Sequence, residues 1–86
     1  MNLNNLKQEL NITGYHCFIR DNYLIVGTSK KYEDDLGFYT VQDTVGVEIR
    51  NGKIIIDYTP AQIPKEKEFS SINEAVNFIK AVRPLS

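Results

Sequence analysis

The two side chains best suited to nucleophilic chemistry, His16 and Cys17, are neighbours in sequence, and each is the single residue of its type in the chain. A cysteine nucleophile needs a base within hydrogen-bond reach to become a thiolate. Tyr15-His16-Cys17-Phe18-Ile19-Arg20 has β-strand composition, and successive side chains of a strand point to opposite faces. His16 and Cys17 therefore cannot act as base and nucleophile on one another. Cys17 is expected as a small core residue and His16 at the surface or a sheet edge. That leaves carboxylates as the remaining general bases.

Glu33-Asp34-Asp35 are three consecutive carboxylates in residues 29–37, the most polar stretch of the chain. Their spacing is not that of an EF-hand loop, and three consecutive carboxylates rarely converge on one ion. A solvated loop or a single helical turn is the expectation here, with Lys30, Lys31, Glu33, Asp34 and Asp35 available as a polar rim for a partner. Glu48 and Asp57 can lie on one face of a hairpin, yet acid/base work needs a cleft that raises one pKa. With Arg50 and Lys53 close by in register, cross-strand pairing accounts for them. Gly27, Gly37, Gly46 and Gly52 do not form a phosphate-cradling loop ahead of a helix, and Cys and His do not cluster at metal-ligand spacing. No cofactor, no metal and no enzymatic activity are expected.

Tyr15, Tyr23 and Tyr39, with Arg20, Lys30, Lys31 and Arg50, supply the rings and cations that proteins use on single-stranded nucleic acid. The ribonucleoprotein signature is missing. Ten basic and eleven acidic residues give a formal charge of −1, and the pI is about 5.7. The overall field therefore lends no attraction to nucleic acid or to an anionic membrane. Nucleic-acid binding is thus a second function class. A third has Glu33, Asp34, Asp35, Glu48 and Asp57 mimic a nucleic-acid backbone in order to block a basic cleft on an enzyme.

The elements that must position these residues start from Asn51-Gly52. An Asn-Gly loop favours a type I′ turn, because both central residues take positive φ. Arg50 then pairs with Lys53, and counting outward brings Ile49 to Ile54, Val47 to Ile56, Glu48 to Ile55 and Gly46 to Asp57. One face of this hairpin is apolar and the other mixed. A second hairpin follows from a two-residue turn at Asp21-Asn22, pairing Ile19 with Leu24, Cys17 with Val26 and Phe18 with Ile25. Both of its faces are apolar.

Leu3, Leu6 and Leu10 predict an amphipathic helix over 2–11, capped by Asn2 or Asn4 and ended at Thr13-Gly14. Ser71-Ile72-Asn73-Glu74 is a capping-box pattern, followed at helical spacing by Ala75, Val76, Ile79 and Val82, so a helix is expected over 72–83 with Pro84 beyond it. Strands are expected over 15–20, 23–28, 38–42, 45–50 and 53–59. If Asp43-Thr44 is a bulge inside one long strand the count is four, and if it is a turn the count is five. The prolines near residues 60 and 64 break the ladder, and Lys65-Glu66-Lys67-Glu68 reads as a solvated connector.

Eighty-six residues make a single domain that buries roughly 60 to 65 per cent of its unfolded surface. With 42% hydrophobic and 24% charged residues the composition is that of an ordinary globular domain. The start of the chain lacks an apolar run of signal-peptide length, and no stretch is long enough to cross a bilayer. A single unpaired cysteine also fits a reducing compartment. A cytoplasmic protein without membrane contact is the expectation.

Together these features predict an α+β domain spanning 1–86: an antiparallel sheet of hairpins with an N-terminal and a C-terminal helix on one face. Two short helices cannot cover both faces of such a sheet. Phe18, Tyr23 and Ile25 on the first hairpin's second face are then either covered by residues 29–37 and 60–64 of the same chain or free for a partner. The expected function is a non-enzymatic protein-interaction module, an adaptor, regulator or inhibitor, docking another protein or a second copy. Its expected surface uses Phe18, Tyr23, Ile25 and Tyr39.

Overall fold

A computed structural model describes residues 2–37, 39–59 and 63–85. Helix α1 (Leu3–Thr13) leads into β1 (His16–Arg20), β2 (Tyr23–Gly27), β3 (Ser29–Glu33), β4 (Tyr39–Gln42), β5 (Val45–Arg50), β6 (Lys53–Tyr58) and β7 (Lys65–Phe69), and helix α2 (Ile72–Val82) follows. The class is α+β. Five antiparallel strands form one sheet in the order β1-β2-β5-β6-β7, while β3 and β4 form a separate two-stranded ribbon.

Local chemistry sets the ends of the helices as expected. Asn2 caps α1, its side chain accepting from the Asn5 N–H at 2.9 Å, and Gly14 ends the helix at φ 119. Ser71 caps α2, its hydroxyl oxygen accepting from the Glu74 N–H at 3.2 Å, while the same hydroxyl donates to the Glu74 carboxylate at 3.1 Å. Asn51 and Gly52 both take positive φ, and the β5–β6 register is the one that counting outward from them gives. The β1–β2 register likewise pairs Phe18 with Ile25 and Cys17 with Val26.

One face of the sheet carries the core. Cys17, Leu24, Val26, Val45, Val47, Ile54 and Ile56 lie under Leu6 and Leu10 of α1 and Ala75 and Ile79 of α2. Helix α1 packs on β1 and β2, and α2 on β6 and β7. Phe78 of α2 meets Tyr58 edge-to-face and Phe69 at a tilt, with 5.0 Å between ring centroids in each case. Both helices being on this face, neither covers the other.

Three expectations need correction. Residues 29–33 are a strand, not a loop: β3 pairs with β4, but its register shifts between Lys30 and Tyr32. Such a bulge removes the period-two signal that marks a strand. Residues 65–69 are the fifth strand, not a connector, pairing Asp57 with Glu66 and Ile55 with Glu68. Alternating Lys and Glu suit an exposed sheet edge, where charge discourages pairing with another chain. Finally, β4 belongs to the ribbon and not to the main sheet. Asp43, at φ 51, turns the chain between β4 and β5, so 39–50 is not one bulged strand. Phe38, the first residue of the expected strand, lies outside the described residues. Strand β1 starts at His16, one residue later than expected, because the Tyr15 N–H donates to the Leu10 carbonyl at 2.9 Å in the cap of α1, and the Thr28 N–H opposite it to the Gln42 carbonyl.

Candidate docking surface

Strand alternation sends His16, Phe18 and Arg20 of β1, and Tyr23, Ile25 and Gly27 of β2, to the face that the helices leave open. The ribbon folds over one end of this face. A Cβ built on Gly27 would overlap the Val41 side chain and crowd the Gln42 carbonyl, so only glycine lets β4 lie this close to β2. Thr28 ties the two together, its N–H donating to the Gln42 carbonyl at 2.9 Å. Gly46 plays the matching part beside it: a Cβ there would overlap the ring of Tyr23, which reaches over β5 at this point.

Between ribbon and sheet runs a groove of about 420 Å³. Phe18, Ile25, Tyr39 and Val41 give it apolar walls, and Arg20, Gly37, Thr40 and Thr44 complete it. The Arg20 guanidinium stands 5.7 Å from the centroid of the Phe18 ring, and the Lys30 ammonium 4.8 Å from that of Tyr39. His16 meets the Tyr39 ring edge-on, with centroids 6.3 Å apart. Volume and lining are those of small binding clefts, mostly apolar with a few polar groups at the margin.

Phe18, Ile25 and Tyr39 thus come together as walls of one groove. Tyr23 instead lines a shallower depression next to it, with Arg20, Asp21, Asn22, Ile25 and Glu48. Lys30 is at the groove margin through Tyr39. Lys31 sits at the bulge of β3, and Glu33 is opposite Tyr39 in the ribbon register. Asp34 and Asp35 are at the ribbon tip, where Asp34 Oδ1 accepts from the Leu36 N–H at 2.9 Å and the Asp34 carbonyl from the Gly37 N–H at 3.1 Å. Sequence reasoning missed Arg20, Gly37, Thr40, Val41 and Thr44 as groove residues. Alternation from Phe18 was a signal for Arg20, and Gly27 was an indirect one for Val41.

The other half of the open face is acidic. Asp57 and Glu66 face each other across β6 and β7. Desolvation, then the Glu66 charge and a hydrogen bond to Glu66, push the Asp57 carboxyl above the usual aspartate range. Arg50 pairs with Glu48 and, at 3.5 Å, with Glu66. Glu48 is therefore engaged by Arg50, and Asp57 has Glu66 as its carboxylate neighbour instead of Glu48. Ile55, also on this face, is only 5% exposed.

The remaining candidates are dispersed. Cys17 is 4% exposed on the helix-covered face, and burial pushes its thiol up to about 11. His16 is on the other face, as alternation requires. Tyr15 is in the core, which removes it from any set of stacking rings. Among the described residues no three His, Cys, Asp or Glu side chains are grouped to hold a metal ion, and no helix is long and apolar enough to cross a membrane. Comparison with protein families, with functionally described proteins and with solved structures gave no match.

Proposed function

We propose that this chain is a non-enzymatic protein-interaction module, an adaptor, regulator or inhibitor working in the cytoplasm, and that its docking surface is the helix-free face of β1 and β2 together with the ribbon. The observation that carries this reading is the groove itself: Phe18, Ile25 and Tyr39 remain part-exposed around about 420 Å³ of apolar space. Apolar surface of this kind, rimmed by polar and charged residues, is the usual mark of an interface. Chemistry at Cys17 has little to recommend it, since a buried thiol raised to about 11 is a poor nucleophile.

Nucleic acid is the less favoured ligand. Tyr15 is buried, and Asp57, Glu66 and Glu68 lie on the same side of the sheet as the remaining rings. A phosphate backbone laid across the sheet would meet these carboxylates.

Affinity capture from the native cell extract tests the reading, with wild type set beside Phe18→Ser and Ile25→Asp after circular dichroism has shown all three folded. Proteins retained by wild type and lost from both variants support it. An identical set on all three would mean that the face is not a docking surface.

A further inference from the structure

We infer that the groove is filled by a second copy of this chain, with Leu36 at the tip of the β3–β4 ribbon as the side chain that enters it. This rests on the proposed docking surface and adds the identity of what docks.

Leu36 is 82% exposed, more than any other large apolar residue described. A leucine so placed is not seated in its own chain's groove, although the next residue, Gly37, is part of the groove wall. Knob and hole are therefore adjacent on one surface. That adjacency is what a two-fold dimer needs: an axis passing close to the ribbon tip carries each Leu36 to the other copy's groove. The contact is made twice and closes on itself.

Charge favours the same pairing. Asp35 directly precedes the knob and is exposed, whereas the margin of the hole carries the exposed Arg20 beside Phe18. Docking sets the acidic tip of one copy against the basic margin of the other. The Asp57–Glu66 half of the face would repel that tip, which directs it to β1 and β2. A different partner would need an exposed apolar side chain beside a carboxylate, and this chain already presents one in Asp35-Leu36.

Sedimentation velocity over a wide concentration range tests the inference using Arg20→Glu, Asp35→Arg and Leu36→Ser, all at exposed positions. Wild type is expected to dimerise reversibly. Arg20→Glu alone sets like charges against one another at both contacts, as does Asp35→Arg alone, and each should weaken dimerisation roughly tenfold or more. An equimolar mixture of the two restores opposite charges at both contacts and should form a heterodimer close to wild-type strength. Leu36→Ser removes two plugs and should weaken the dimer roughly a hundredfold.

A wild type that stays monomeric throughout overturns the inference, as does a dimer indifferent to Leu36→Ser or a mixture no stronger than its components. If wild type is monomeric while Phe18→Ser and Ile25→Asp still lose a captured protein, the second copy is wrong and the docking surface stands. If those variants lose nothing either, both readings fall.

Discussion

Val41 lies over Gly27 with no space for a methyl group between them. This approach, together with the Thr28 N–H to Gln42 carbonyl bond, holds the β3–β4 ribbon on the open face and makes a groove out of what would otherwise be a flat strip of apolar sheet. Gly27→Ala must push β4 away or strain β2. It should destabilise the fold by about 1–3 kcal/mol, the range for overpacking a tight site. Chemical denaturation measures that loss, and amide shifts of residues 39–42 should move while those of α2 stay in place.

Tyr15 joins the start of β1 to the end of α2 through its hydroxyl, which donates to the Arg83 carbonyl at 2.6 Å. Tyr15→Phe removes the donor with little change in shape. The expected loss is about 1 kcal/mol, typical of one hydrogen bond, or about 4–8 °C in Tm for a domain of this size. A thermal melt of the two proteins side by side reads it directly.

Cys17 should be inert in the native state. With its thiol raised to about 11, roughly one molecule in a thousand carries a thiolate at pH 8. Burial slows attack further. A chromogenic disulfide reagent should react slowly with folded protein and rapidly once denaturant is added. Rapid reaction of the native protein would show that β1 opens readily.

Asp57 is a carboxylate whose folded pKa lies above its unfolded one. The folded state then holds the proton more tightly, so the stability from this group is present below the unfolded pKa and is lost as pH rises through the folded value. At neutral pH the Asp57–Glu66 pair is therefore a small liability. Asp57→Asn should stabilise the protein at pH 7 by less than about 1 kcal/mol, the scale of exposed charge interactions. The gain should vanish at pH values below the ordinary aspartate range. Urea titrations at the two pH values check both magnitude and sign.

Much of this architecture was legible where local chemistry and burial agree. Asn51-Gly52 demanded positive φ at two positions and so set the β5–β6 register. The Ser71 capping box and the Asn2 cap marked the starts of both helices. Pattern reading failed where charge or a bulge replaces apolar alternation. Strand β7 alternates Lys and Glu in solvent, and β3 is interrupted by a bulge, so neither presents an apolar period of two. The site divides in the same way. Alternation placed Phe18 and Ile25 on a single face, but Tyr39 reaches them only because the ribbon folds back, and that depends on a glycine 12 residues earlier, Gly27.

The most direct test of the claim that this protein docks a second copy of itself through the open face of β1 and β2 and its ribbon is the map of amide chemical shifts as the protein is taken from dilute to concentrated solution. Concentration-dependent shifts are expected at Phe18, Arg20, Ile25, residues 34–37 and residues 39–41, with α1 and α2 silent. Shifts confined to the helices, or none anywhere, would contradict it.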